Sequence, residues 1–395
     1  MVASAAKSLG VLQMITKQIK GLTSLRFFAA LAILLHHSQG IFIPDGFFNT
    51  VPLAGGVGFF FVLSGFILSH AHSKVSGRME LSRFYVSRVA RLWPAHVVCA
   101  LLLLFLIPYQ ATLLESFKWI VVFLSNLFLI HSMIPIPEYY FSFNSVSWSI
   151  STEMFFYALF PLLLMWLPSR PWVKYTAFVA VGLGLSFFLD YFGVTYYAAE
   201  SQQSLTSHGI IYISPVGRIQ EFMLGIICHQ LMVGVRDRNI GFKSGSFIEI
   251  CAVLAVVFLS PIVALWLRPY IGKSSPAVFE FVKHTSLALL FAAVICCFYL
   301  EKGMISKALS WRPLVLLGEI SFSLYLIHQI IFRLVLEKNL LPDLDQSIRF
   351  SIFSGASIVA AYIIWRLVEK PCQKGIMQVY DAVNPRPDRR GVDPA

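Results

Sequence analysis

Charge is what this sequence has least of. Only 13% of its 395 residues are Asp, Glu, Lys or Arg, against about 25% in soluble domains. With 57% hydrophobic residues, a soluble fold is excluded, and the chain reads as one all-α, polytopic membrane bundle whose partner is the lipid bilayer. Its six cysteines (Cys99, Cys228, Cys251, Cys296, Cys297 and Cys372) mostly fall inside apolar runs and make no metal-ligand spacing. They read as small buried hydrophobes, and no metal is expected. Residues 1–20 have no signal-peptide layout. Their sparse pattern (Leu12, Ile15 and Ile19 against Lys17 and Lys20) suits a segment lying on the cytoplasmic membrane face. No convincing internal repeat can be read in it, and no appended soluble domain is expected. The net charge of +11 comes from basic residues gathered in a few loops, as in cytoplasmic loops of membrane proteins, so nucleic acid is not the expected partner.

What is present is a series of apolar runs. Eleven are long enough to consider, at 25–43, 52–70, 93–107, 117–133, 147–167, 175–193, 212–232, 247–267, 281–300, 313–333 and 350–368. A span needs about 20 residues. The loops 72–92, 233–246 and 301–312 and the tail after 366 are rich in Lys and Arg, so they should lie inside. The stretch 194–213 has neither residue, and 334–348 is acidic, so both should lie outside. Five runs between two cytoplasmic loops cannot all cross. Either 93–107 or 117–133, both short and separated by Pro108, must enter and return or lie at the surface. The expectation is about ten spans plus one short or re-entrant segment, with both termini cytoplasmic. Residues 21–372 would form the membrane domain, and 373–395 a disordered cytoplasmic tail.

Ionisable groups at membrane depth are costly and mark function. In the first span, LTSLRFFAALAILLHHSQGIF, eleven steps separate Arg26 from His37, which returns both to one helical face about 16 Å apart. His37, Glu153 (in SVSWSISTEMFFY), Arg218 and Glu221 (in SPVGRIQEFMLG) and His328 (in GEISFSLYLIHQ) then fall at similar outer depth. A carboxylate beside an imidazole orients it as a general base for a hydroxyl, so Glu153 is expected to pair with His37. Arg218 and Glu221, three apart, either glue helices as a pair or serve the reaction. His328 reads as a satisfied core histidine or as a further site residue. Trp148 and Ser149, beside Glu153, belong to the same polar cluster. On the inner side, FYVSRVARLWP places Arg88 and Arg91 three apart, and their forked guanidiniums suit phosphate. A basic inner loop needs only charge, but arginine at helical spacing beside Phe84, Tyr85 and Trp93 is more specific. The small residues of GGVGFFFVLSGF allow close helix approach or leave a channel.

Taken in order, LTSLRFFAALAILLHH, GGVGFFFVLSGFILS, FYVSRVARLWP, SVSWSISTEMFFY, RIQEFMLG, GEISFSLYLIH and VEKP near Glu369 resemble the acyltransferase-3 family of bacterial integral membrane acyltransferases. The resemblance covers about residues 20–372. Thr152 stands where many members have Val or Ile. It implies an O-acetyltransferase of the bacterial cytoplasmic (inner) membrane. The donor would be acyl-CoA, usually acetyl-CoA, from the cytoplasm, and the acceptor a carbohydrate, free or lipid-linked, on the outer face. It implies Arg26 and His37 as the essential pair of the first span, Arg88 and Arg91 as contacts to coenzyme A phosphates, and Glu153 as the WSxSxE carboxylate. Arg26 and Arg218 would stabilise negative charge on the donor and on the oxyanion. His37 would act as base or take the acyl group itself. Some members carry a further span and a soluble SGNH esterase-like domain. Without these, transfer is expected to finish within the membrane domain. The rival readings are a transporter of a lipid-linked sugar or ion, and a non-catalytic partner of a polysaccharide assembly complex.

Overall fold

A computed structural model describes residues 18–44, 51–72, 77–108, 113–197, 202–236 and 238–385. Among them the chain is helical throughout, with one isolated bridge between Gln39 and Ile43. Its long helices are α1 (Lys20–Ser38), α2 (Gly56–Ala71), α3 (Arg78–Leu106), α4 (Phe117–Leu127), α5 (Trp148–Trp166), α6 (Pro171–Tyr191), α7 (Pro215–Met232), α8 (Phe242–Ile271), α9 (Pro276–Tyr299), α10 (Arg312–Glu319), α11 (Ser321–Lys338), α12 (Gln346–Ile364) and α13 (Lys370–Val383).

Eight of the helical segments are long and apolar enough to cross a membrane, and nine if the α10–α11 pair, bent by 61° at Ile320, is one span. Helix α1 is not among them, because Arg26, His36 and His37 dilute its apolar face, yet its 19 residues reach across most of a bilayer core. With α1 the number of candidate spans reaches ten.

The odd run out is 117–133. Run 93–107 is the end of α3, a continuous helix of 29 residues that passes through Pro94. By contrast α4 has 11 residues, about 16 Å, and cannot cross. The segment after it turns back through short helical turns to α5. Its polar groups are satisfied by protein: Asn126 Nδ2 donates to the Ser142 carbonyl (3.1 Å) and Ser147 Oγ (3.2 Å). Ser132 donates to Ser151 Oγ (2.8 Å), and the Trp93 indole to the Leu127 carbonyl (3.0 Å). Irregular backbone is tolerated at depth only where protein covers it in this way.

The centre of the bundle is the crossing of α2 with α7. An added Cβ at Gly65 would lie 2.1 Å from the Phe222 carbonyl oxygen, and one at Gly225 would lie 2.0 Å from that of Val62. The two backbones touch, as small residues at a helix interface permit. Gly318 brings α10 equally close to α1, with the Thr23 carbonyl 1.9 Å from its Cβ position.

The basic loops gather at one end of the bundle. There Arg236 pairs with Glu301 (3.1 Å), which also accepts from the backbone N–H of Lys20 (3.2 Å). Residues 373–383 correct the expectation of a disordered tail. They belong to α13, which lies along the start of α3 through Arg83–Asp381 (2.9 Å) and through Tyr380 to Ser82 (2.9 Å). Composition alone reads this stretch as polar, but its apolar residues recur at helical spacing. Residues 1–17, most of the expected interfacial segment, and 386–395 lie outside the described residues.

Gly225→Ala is expected to lower stability by at least about 2 kcal/mol, because a methyl group has nowhere to go. Unfolding of the purified protein in detergent checks this, and an unchanged midpoint would contradict the contact.

Candidate active site

Two cavities approach the middle of the bundle. The first, about 530 Å³, reaches from the end where the basic loops gather. Helix α1 contributes Arg26, α3 contributes Arg88 and Arg91, α5 contributes Ser149, Glu153 and Tyr157, and the π-turn after α12 contributes Glu369. One wide turn of this kind aims a side chain off the regular helical path, which is why such turns recur at functional sites. Glu369 is held by Ser323 Oγ (2.9 Å). Glu153 accepts hydrogen bonds from the hydroxyls of Ser64 and Tyr157. The Arg88 guanidinium stands 5.8 Å and 5.9 Å from the ring centres of Phe84 and Tyr157. None of the three arginines forms an ion pair with a carboxylate within 4.0 Å among the described residues. Three guanidiniums lining one cavity with no carboxylate in ion-pair contact, Arg88 donating only to Ser87 Oγ (3.2 Å), have the charge and geometry that suit an anion.

Beyond Tyr325, at the deep end of this cavity, sits a pair of imidazoles. His37 Nδ1 lies 2.9 Å from His328 Nε2, and the rings stack at 21°. The other nitrogen of His328, Nδ1, lies 3.1 Å from the Leu324 carbonyl oxygen. A carbonyl only accepts, so His328 Nδ1 carries the proton and its Nε2 is the acceptor. His37 Nδ1 must then donate, which leaves His37 Nε2 with a bare lone pair. The tautomer of one imidazole is thus set by a backbone carbonyl acting through another, as a carboxylate sets it in other general bases.

The second cavity, about 480 Å³, lies on the other side of this pair. His36 lines it, with its ring 5.3 Å from that of His37. The wall between the cavities is one layer of side chains. Phe61 lines the first cavity and lies 5.1 Å beneath the Arg218 guanidinium, which lines the second. Trp148 packs against Phe61 and Tyr212, at ring distances of 6.4 and 5.2 Å.

The structure therefore regroups the residues that sequence placed together. Arg218 and Glu221 are joined by two hydrogen bonds, of 2.7 and 3.0 Å, and a third guanidinium N–H donates to the Tyr212 carbonyl (3.2 Å). Both side chains are buried. His328 is the partner of His37, and the expected His37–Glu153 pairing does not form. Glu153 belongs instead to the first cavity with Arg26, because its hydroxyl partners hold it on that side. Ser149 is fixed by the Tyr325 hydroxyl (2.7 Å). Sequence reasoning missed Ser64, Tyr157 and Tyr325. Tyr157 stands four residues after Glu153 and so shares its helical face, which was a readable signal. Ser64 and Tyr325 gave none, because only the packing of α2 and α11 brings them in.

The geometry is thus an imidazole pair between two cavities of a membrane bundle, and similarity to known proteins supplies the class. The acyltransferase domain of the acyltransferase-3 family matches residues 19–366. The chain belongs to this family and is a multi-pass membrane O-acyltransferase, which sets aside the transporter reading. It is 27% identical to the acyltransferase MdmB of Streptomyces mycarofaciens over 90% of this chain and 92% of that protein. It is 26% identical to a putative O-acetyltransferase of Staphylococcus aureus over 91% of this chain and 58% of that protein. To the peptidoglycan O-acetyltransferase OatA of Listeria monocytogenes it is 23% identical, over 91% and 56%. The chain thus spans little more than half the length of these last two relatives. No solved structure matches it.

Arg218→Ala strands the buried Glu221 carboxylate and is expected to cost about 3–5 kcal/mol. Detergent unfolding of Arg218→Ala beside an Arg218→Met/Glu221→Leu double variant checks this. The double variant should be the more stable of the two. Equal losses would mean that the pair contributes no mutual charge compensation.

Proposed function

We propose that this O-acyltransferase takes an acyl group, most simply acetyl, from coenzyme A in the cytoplasm. It delivers the group to a sugar hydroxyl of a surface polysaccharide, or its lipid-linked precursor, on the outer face of a bacterial inner membrane. The observation that carries this reading is the His37–His328 pair between two cavities, with the bare Nε2 of His37 as its product. The donor side follows from charge. The cavity with Arg26, Arg88 and Arg91 opens where the Lys- and Arg-rich loops gather, and such loops stay in the cytoplasm. Coenzyme A phosphates would meet Arg88 and Arg91, and the pantetheine arm would run along α1 and α2 toward Tyr325.

In this reading His37 Nε2 removes the proton of the acceptor hydroxyl as its oxygen attacks the thioester carbonyl. The C–O bond forms, the C–S bond breaks, and the imidazolium returns its proton to the departing thiolate. His328 accepts from His37 Nδ1 throughout and shares the charge that develops. Arg26, on the same face of α1, holds negative charge on the donor side. Glu153, fixed by Ser64 and Tyr157, serves as a positioning residue of the donor cavity, limiting its net positive charge, rather than as the partner of His37.

The test is transfer of radiolabelled acetyl from acetyl-CoA in membranes, followed into polysaccharide, lipid and small-molecule fractions. His37→Ala is expected to abolish transfer while inserting normally, and an active His37→Ala protein refutes the assignment. His328→Phe, which removes the acceptor that sets the His37 tautomer, should lower kcat by about 10²–10⁴-fold with KM for the donor little changed. Arg88→Gln should do the reverse, raising KM for acetyl-CoA by about tenfold for one lost phosphate contact. An unchanged KM would remove Arg88 from the donor site.

A further inference from the structure

The second cavity has chemistry of its own. It sits where few cations are expected, at the end of the bundle away from the basic loops. Yet the connection between α8 and α9, with the helix ends beside it, carries Arg268, Lys273 and Lys283 against the single carboxylate of Glu280. Positive charge is normally kept out of such loops, so its presence here needs a reason. Arg268 and Lys283 both line the cavity. Lys283 is neutralised by Glu280 (2.7 Å), which also accepts from the Tyr196 hydroxyl (2.9 Å). Arg218 is neutralised by Glu221. The Arg268 guanidinium makes no ion pair or hydrogen bond with the described residues, and it leaves the cavity with one uncompensated positive charge.

A second feature is independent of charge. His284 is 4% exposed and lines the same cavity. Its Nε2 lies 3.1 Å from the Gly217 carbonyl oxygen and 3.9 Å from Glu221 Oε1, both acceptors, while the Gln220 amide nitrogen 3.3 Å away gives its own shorter hydrogen bond (2.8 Å) to that carbonyl, so we place the proton on Nε2. Its Nδ1 is then a bare acceptor, and it is buried with no partner. Buried acceptors are rarely left unpaired, because the desolvation cost goes unrecovered. Nδ1 lies beneath the cavity surface, and a turn of the ring would present it to an entering hydroxyl. Aromatic side chains on which a sugar ring can pack also line the cavity, among them Phe279 and Phe291.

We propose that the second cavity is the acceptor subsite and that it selects a carbohydrate bearing an anionic group, with Arg268 meeting the anion and His284 Nδ1 accepting a sugar hydroxyl. This rests on the acyl-transfer reading and adds the class of acceptor to it. The anion can be a uronic carboxylate or the phosphate of an activated or lipid-linked sugar. Both place negative charge a ring's width from the hydroxyls, and His36 sets that ring beside His37.

The experiment is binding to the full-length protein in detergent, read by saturation-transfer NMR and by competition. The probes are trigalacturonate, its methyl ester, N-acetylglucosamine 1-phosphate and N-acetylglucosamine. At least one anionic probe should bind about tenfold more tightly than its neutral counterpart. The preference should shrink in 0.5 M salt, a rim charge being screened. Arg268→Gln should abolish it and Arg268→Lys should retain most of it. The arm that responds, carboxylate or phosphate, identifies the source of the anion. Equal binding of charged and neutral probes, no binding of either anion, or an undiminished preference in Arg268→Gln would each overturn the proposal. Coenzyme A binding to the wild-type protein, measured alongside, reports separately on the donor reading. If coenzyme A binds and the anion preference is absent, only this inference falls.

Discussion

An imidazole inside a membrane protein is useful as a base only if its proton is held on the nitrogen that does not react. Here a backbone carbonyl does the holding. Leu324 fixes the proton of His328, His328 accepts from His37, and His37 is left with a lone pair on Nε2. The arrangement avoids a carboxylate in the core of the site, where a charged partner would be costly to desolvate. It also ties the chemistry to packing. α1 and α11 must stay in contact for the chain of hydrogen bonds to exist, and the close approach of α1 to α10 at Gly318, just before the bend into α11, keeps them there.

The same contact divides the space on either side. The cavity with Arg26, Arg88 and Arg91 ends at Tyr325, and the cavity with Arg268 and His284 ends at His36. Phe61, Trp148 and the Arg218–Glu221 pair complete the wall between them. That pair is the costliest element of the wall, since two desolvated charges must be fully hydrogen-bonded to be tolerated. Its reward is rigidity, because the guanidinium is fixed at once by a carboxylate, a carbonyl and two ring faces, Phe61 and Tyr212. In the function proposed above, a charged donor and a polar acceptor meet from opposite ends, and such a septum would keep water and ions from leaking through.

Much of this could be read before any fold was available. Run lengths and the placement of Lys and Arg gave about ten spans, close to the eight or nine helices long and apolar enough to cross plus α1, and the parity of the basic loops required one run between 93 and 133 to fail. Arg26 and His37 shared a face by helical arithmetic alone. Partnership across helices was not legible. Depth counted along each helix put His37, Glu153 and His328 at one level, but depth says nothing about azimuth. Ser64 and Tyr157 turn Glu153 toward the arginine cavity, and that depends on how α2 crosses α5. The helix from Lys370 to Val383 was missed because polarity was read as disorder, without weighing its apolar residues at helical spacing against α3.

The central claim is that the two cavities open to opposite sides of the membrane and meet across the imidazole pair. Its most direct test is thiol labelling in sealed vesicles of known orientation, in a cysteine-free background. One variant places Cys at Gln373, on the rim of the first cavity, and the other at Arg268, on the rim of the second. A membrane-impermeant maleimide should reach Gln373→Cys only from the cytoplasmic side and Arg268→Cys only from the other. Labelling of both from the same side would contradict the account.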